Sequence, residues 1–175
     1  FITARGGSKS IPLKNIVPVQ GRPLIEYCIH AGNKAKTLER IICSTDNEKI
    51  ATVAAKNGAD ILERPAHLCG DMVPSVDVVV DAIETIGENE GSVAEIIVLI
   101  QPTSIFLKSA HIDLAVNALI DFPESNSSQT VVPVPHQFHA YNQRIMFEDD
   151  NDITFAFPKE REIGHNKQSK PNFYT

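Results

Sequence analysis

The sequence predicts an α/β fold: a three-layer, doubly wound, mainly parallel sheet, carrying a β-rich arm near its C-terminal end. Three observations carry the prediction. Short apolar runs alternate with helix-like runs of ten or more residues up to about residue 125; the apolar runs are rich in Ile and Val; and charged or polar turns follow them. Strands that alternate with helices form βαβ units, hence parallel pairing with right-handed crossovers. In such sheets ligands bind beyond the carboxyl ends of the strands, which directs attention to the turns after "FITA", "RIICS", "ADIL" and "EIIVLI".

Taken in order, "FITA" reads as the second half of a strand, and "ARGGSKSIPLKN" follows it as a loop. "RPLIEYCIHAGNKA" places Leu24, Tyr27, Cys28 and Ala31 on one helical face. "RIICST" has the β-branched character of a buried strand. "DNEKIATVAAKNG" predicts a helix with Asp46 at or near its N-cap, acids in the first turn and Gly58 at its C-terminal stop. "ADILERP" is a short strand that Pro65 breaks. "SVDVVVDAIETIG" carries Val76, Val79, Val80 and Ile83 at helical spacing, with Ser75 as a candidate cap and Gly87 as the stop. "EIIVLI" is the clearest strand in the chain, and "SAHIDLAVNALIDF" repeats the helical stripe at Ile112, Ala115, Val116 and Leu119.

The rhythm changes after about residue 128. "QTVVPVP" predicts one more strand. "HQFHAYNQRIMFEDDNDITFAFP" alternates as a hairpin joined through "EDDND", with His136 and His139 on a strand; these histidines have no Cys or clustered acids beside them, so they read as satisfied or exposed side chains rather than metal ligands. The arm, at about 130–170, is of the kind that protrudes from a sheet or pairs with a second subunit. "EDDND" itself reads as a solvated turn.

The 175 residues, 42% of them hydrophobic, suit one domain. The start and the end both read as truncated, since Phe1 is no initiator methionine and "KQSKPNFYT" closes no element. No run of eighteen apolar residues and no signal-peptide order occur, which predicts no membrane span and a cytoplasmic location. Cys28, Cys43 and Cys69 are odd in number and widely spaced, as reduced thiols are. A net charge of -6 argues against nucleic acid as a partner. Within that anionic chain, no Asp or Glu precedes Glu26, whereas Arg5, Lys9, Lys14 and Arg22 all do. A cationic patch on an anionic protein suits a small anionic ligand.

The opening loop sharpens this. Gly6 and Gly7 let the backbone approach a phosphate, and the flanking cations add charge. It is no Walker loop, because Ser8 separates Gly7 from Lys9, and no dinucleotide fingerprint, because no glycine follows until Gly21 and Pro12 disfavours the receiving helix. The sequence also lacks GxSxG and HExxH, the marks of hydrolases.

In order and spacing, "ARGGSKSIPLKNI", "GRPLIEY", "ICSTDNEKIA", "GADILERPAHLCGD" and "IVLIQPTSIFLKSAHI" resemble the acylneuraminate cytidylyltransferases, the CMP-sialic acid synthetases and their relatives, densely over residues 2–125 and weakly beyond. The resemblance implies one nucleotidyltransferase domain over residues 1–175 that transfers CMP from CTP, with Mg²⁺, to the anomeric hydroxyl of a 2-keto-3-deoxy sugar acid and releases pyrophosphate. It implies a homodimer built through the arm. Arg5 and Lys9 resemble the triphosphate-binding pair, with Lys14 a third catalytic cation; Ala4, Gly6, Gly7, Ser8 and Asn15 belong to the same nucleotide-binding loop. Arg64 and Ser75 resemble cytosine and ribose contacts, Ser75 being equally readable as a helix cap. Gln101 and Ser104 resemble residues near the sugar acid. The family's metal-binding Asp-x-Asp would lie beyond Thr175, so no metal ligand is expected in the chain. Ser10 stands where relatives carry Gly, and Ile105 and Phe106 interrupt a pattern closer to Ser-Pro-Leu-Arg, leaving open whether Lys108 replaces the arginine. The rival readings are a nucleotidyltransferase of the same fold with another nucleotide or acceptor, and a nucleotide-binding subunit without turnover.

Overall fold

The computed structural model describes residues 1–146 and 153–163. In chain order its helices and strands are β1 (Ile2–Thr3), β2 (Pro18–Val19), β3 (Arg22–Pro23), α1 (Leu24–Asn33), β4 (Ile42–Thr45), α2 (Glu48–Lys56), β5 (Asp60–Glu63), α3 (Ser75–Glu90), α4 (Ser109–Asp121), β6 (Arg144–Met146), β7 (Ile153–Phe155) and α5 (Pro158–Ile163). They fall into two compact units, Phe1–Ser128 and Gln129–Thr175.

In the first unit the strands pair parallel in the order β1, β4, β5, with Ile2 opposite Cys43 and Cys43 opposite Ile61. On the other side of β1, Ile2 bridges to Ile100, again parallel, and the Ile100 amide donates to the Phe1 carbonyl at 2.8 Å. The chain therefore runs outward from β1 to β4 and β5, then crosses back to add residue 100 on β1's opposite edge. That reversal marks the doubly wound arrangement and its switch point.

Apolar burial explains why these segments settle so. Ile2, Ile25, Cys28, Ile29, Cys43 and Ile50 are fully buried in one cluster, joined from α4 by Ile112 and Val116. Each isoleucine so buried contributes about 1.5–3 kcal/mol. The stripe predicted for α1 is present, widened by Ile25 and Ile29, and that of α4 is present at Ile112 and Val116. A short antiparallel ladder, β2 with β3, leads into α1.

Four expectations for this unit are corrected. Asp46 does not cap α2; Asn47 does, its Oδ1 accepting from the Lys49 and Ile50 amides at 3.1 and 3.3 Å. The buried face of α3 is Val78 and Ala82, whereas Val76 and Val80 are 60% and 47% exposed. Apolar residues fill so much of the helix's first two turns that spacing alone does not select a face. The helix also runs past Gly87 to Glu90 and stops at Gly91, whose φ of 72° is the left-handed geometry that glycine adopts without cost. Lastly, 95–100 forms no regular strand and is held by a bridge at Ile100, because β1 presents only two residues for pairing; Ile96 and Val98 still pack on the core.

In the second unit β6 and β7 pair antiparallel, with Arg144 opposite Phe155 and the guanidinium carbon 4.9 Å from that ring's centroid. The predicted hairpin is thus present; its joining turn lies outside the described residues. Two predictions fail here. No regular strand forms over 129–135, only an isolated bridge at Pro133, because Pro133 and Pro135 lack the amide donors a ladder needs. "HQFHAYN" folds as two 3-10 turns, His136–Phe138 and Ala140–Asn142, in which the His139 Nδ1 accepts from the Tyr141 amide at 3.1 Å.

Candidate functional site

At the carboxyl end of the sheet, where the strand order reverses, a cleft of about 290 Å³ opens. Three loops and one helix wall it: Arg5, Ser8, Lys14 and Asn15 follow β1, Arg64 follows β5, Gln101 follows the Ile100 bridge, and Ser75 begins α3. Seven residues singled out from sequence thus share one cavity despite spanning almost a hundred positions. Gly6, Gly7, Lys9 and Ser104 are outside the lining, the Ser104 amide turned back to the Gln101 carbonyl at 3.0 Å. Ala4 is fully buried beneath the loop and donates its amide to the Ser44 carbonyl.

The opening loop is held by its neighbours rather than by its own regularity. The Gly6 amide donates to Asp46 Oδ1 at 2.7 Å, so a carboxylate already engages one amide of the glycine pair that lets the backbone approach a phosphate. A Cβ at Gly6 would lie 2.9 Å from the Asn47 Cβ, and only glycine lets the loop sit this close to the start of α2. Further along, Leu13 takes the left-handed region (φ 48°), unusual for a branched residue, and packs against the core. It thereby starts the 3-10 turn Lys14–Ile16 that brings Lys14 and Asn15 to the cleft. Asn15 is buried and donates from Nδ2 to the Arg5 carbonyl at 3.0 Å, which ties the two ends of the loop together.

Arg64 is the buried cation of the site. Its Nε and Nη2 donate to the Ser44 hydroxyl and carbonyl at 3.2 and 2.8 Å, so β4 sets the plane of the guanidinium in the cleft wall. Burial lowers its pKa, yet an arginine starts so high that it stays charged. Ser75 is the first residue of α3 and makes no side-chain cap; Pro74 holds the N-cap position, which removes the capping reading of Ser75.

A residue that sequence reasoning passed over completes the charge pattern. Asp71 binds Arg5 Nη2 at 2.6 Å through Oδ1 and Lys9 Nζ at 2.5 Å through Oδ2. Hydrogen bonding from Lys9 and then Arg5 holds the Asp71 carboxyl below its ordinary range. Arg5 is also fixed from the other side, its Nη1 donating to the Cys69 carbonyl at 3.2 Å. The only hint in the sequence is "GD" shortly after the "ERP" turn, an acid whose partners lie more than sixty positions upstream.

Among the described residues no three His, Cys, Asp or Glu side chains group as a metal site, and Asp71, the acid that lines the cleft, is engaged by two cations. The described part of the chain therefore has no cage fitted to Mg²⁺. No described helix is long and apolar enough to cross a membrane.

Comparison with known proteins shows what the chain resembles. The chain is 36% identical over 116 residues to the N-acylneuraminate cytidylyltransferase of Escherichia coli O18:K1:H7, covering 66% of this chain and 26% of that protein. It is 42% identical over 85 residues to a pseudaminic acid cytidylyltransferase of Campylobacter jejuni, covering 48% and 37%. The chain thus spans about a quarter to two fifths of these relatives' lengths. A solved CMP:2-keto-3-deoxy-manno-octonic acid synthetase, complexed with CTP, superposes with a TM-score of 0.68 over 99% of this chain and 68% of its own, at 14% identity, which establishes the shared α/β fold. The cytidylyltransferase family model matches residues 1–174, and with the ordered motifs and the cleft they build, the chain belongs to the cytidylyltransferase family.

Proposed function

We propose that this chain carries the nucleotide site of an enzyme that transfers CMP from CTP to the anomeric hydroxyl of a 2-keto-3-deoxy sugar acid of the sialic acid type and releases pyrophosphate. The observation that carries the reading is the convergence of Arg5, Lys14, Arg64, Ser75 and Gln101 on one cleft at the switch point of the sheet. Nucleotidyl transfer needs little covalent help; it needs charge held in place around the phosphates and an acceptor oxygen in line with the leaving group. In this reading Arg5 and Lys9 bind the β- and γ-phosphates and Lys14 stabilises charge gathering at the α-phosphate. Ser8 and the Gly7 segment add donors, while the Gly6 amide, given to Asp46, keeps the loop's shape instead. Ala4 and Asn15 support the loop. Arg64, held rigidly by Ser44, and Ser75 contact the cytidine, and Gln101 faces the sugar acid, with Ser104 reaching it only after a rearrangement of its turn.

The acceptor oxygen attacks the α-phosphorus, the bond to the bridging oxygen of pyrophosphate breaks, and the acceptor's proton leaves to solvent. Mg²⁺ enters the reading as a companion of the nucleotide's phosphates, and no step is assigned to it. The protein acts in the cytoplasm as a homodimer formed through its second unit. Exchange of labelled pyrophosphate into CTP, run with a mixture of the candidate sugar acids because direct displacement reverses only from the CMP-sugar and compared with UTP, ATP and GTP, tests the reaction: exchange confined to CTP is expected. CTP binding without exchange would leave a binding subunit, and equal exchange with another nucleotide would overturn the cytidine assignment. A panel of sialic, legionaminic, pseudaminic and ketodeoxyoctonic acids then identifies the acceptor.

A further inference from the structure

We propose that Asp71 is a resident substitute for the ligand's phosphate: it occupies Arg5 and Lys9 while the cleft is empty and yields both to the terminal phosphates of an entering polyphosphate. This rests on the nucleotide-site reading and names the group the nucleotide must displace. Both carboxylate oxygens are in use, one on each cation, as two oxygens of a phosphate would be. Carboxylate and phosphate compete for the same donor atoms, so both cannot hold them at once.

The surroundings suit release. Asp71 lies in the segment between a 3-10 turn at Ala66–Leu68 and the start of α3. Within it the Val73 amide reaches the Gly70 carbonyl at only 3.4 Å, and Met72 is 93% exposed. Gly70 precedes the aspartate and meets no atom closer than 3.4 Å at its missing Cβ, so the turn has room to rotate away. Arg5 would stay where it is, because its Nη1 remains on the Cys69 carbonyl. Lys9 has a side chain 82% exposed and swings freely to a new anion. Exposed ion pairs are weak, so a ligand bearing several negative charges outcompetes them. The carboxylate neutralises the two cations before the ligand arrives, at a modest cost in affinity.

The test titrates inorganic tripolyphosphate, without metal, against the full chain and its Asp71→Asn and Asp71→Ser variants by calorimetry, with thermal melts to verify folding. Binding about three- to twentyfold tighter in both variants is expected, the range that two surface pairs allow. Unchanged or absent binding overturns the inference, and weaker binding overturns it by making Asp71 an organiser of the cations rather than their occupant. CTP titrated alongside separates this from the cytidine reading. If CTP binds no better than tripolyphosphate, the cytidine assignment fails while a tightened tripolyphosphate affinity still upholds the displacement. If CTP is preferred and the variants match the wild type, only the displacement falls.

Discussion

Residues 1–128 and the described part of 129–175 differ in what their apolar side chains build: both leave some exposed, and the cluster of buried ones belongs to the first. The first unit places Ile2, Cys43 and the α1 stripe in a closed cluster beneath a parallel sheet. In the second, among the described residues, Phe138 and Ile153 are 64% and 62% exposed, Tyr141 packs against His139 and Phe157, and Arg144 lies over Phe155. The difference teaches where chemistry can sit. Loops that leave hydrogen-bonded parallel pairing are anchored at their roots, so Arg5, Arg64 and Gln101 keep their spacing; the described residues of the β6–β7 pair carry no such constellation, and their exposed apolar side chains suit contact with another surface.

The comparison breaks most easily in the core. Ile29→Ala is expected to cost about 2–5 kcal/mol by urea unfolding, since Ile29 is fully buried in the cluster; a loss under 1 kcal/mol would mean that the first unit is not stabilised by that packing.

Next in size is a pH effect. Burial pushes the Cys28 and Cys43 thiols from 9.0 up to about 12. Thiols whose pKa is raised by folding add stability that is complete below pH 9 and is lost as pH rises toward 12, because the unfolded chain ionises first. Stability should fall by at most about 4 kcal/mol for each thiol across that window, and a Cys28→Ala, Cys43→Ala double variant should flatten the slope. An unaltered slope would show that other groups cause it.

Smaller still is Lys9→Ala, expected to lose about 1.5–3 kcal/mol of transition-state stabilisation, the worth of one charged hydrogen bond. A fall in kcat/KM of less than threefold would remove Lys9 from the triphosphate's contacts. Least of all, Ile153→Ala in the hairpin should shift unfolding by less than about 0.5 kcal/mol, and a core-sized loss there would erase the contrast between the units.

Much of this arrangement was legible in advance where local chemistry is decisive. The α1 and α4 stripes, the strands at 42–45 and 60–63, and the polar turns after them were all readable, because period and β-branching act within a few residues. Asp46 and Asn47 were harder, as either side chain can cap a helix; the choice fell to Asn47 because Asp46 was drawn to the Gly6 amide, forty residues upstream. The face of α3 was hidden by a surplus of valines. Asp71 left almost no trace, since its partners Arg5 and Lys9 are over sixty residues away in the chain.

By itself, then, the sequence determined the alternation that makes a parallel sheet, the cationic glycine loop and the ordered motifs of the family, all carried by contacts between near neighbours. Only the tertiary structure decided which cap serves α2, which side of α3 is buried, and that Asp71 closes on Arg5 and Lys9. Those outcomes depend on groups brought together by the crossovers, and a charge finds its partner by distance in space, which the order of residues does not record.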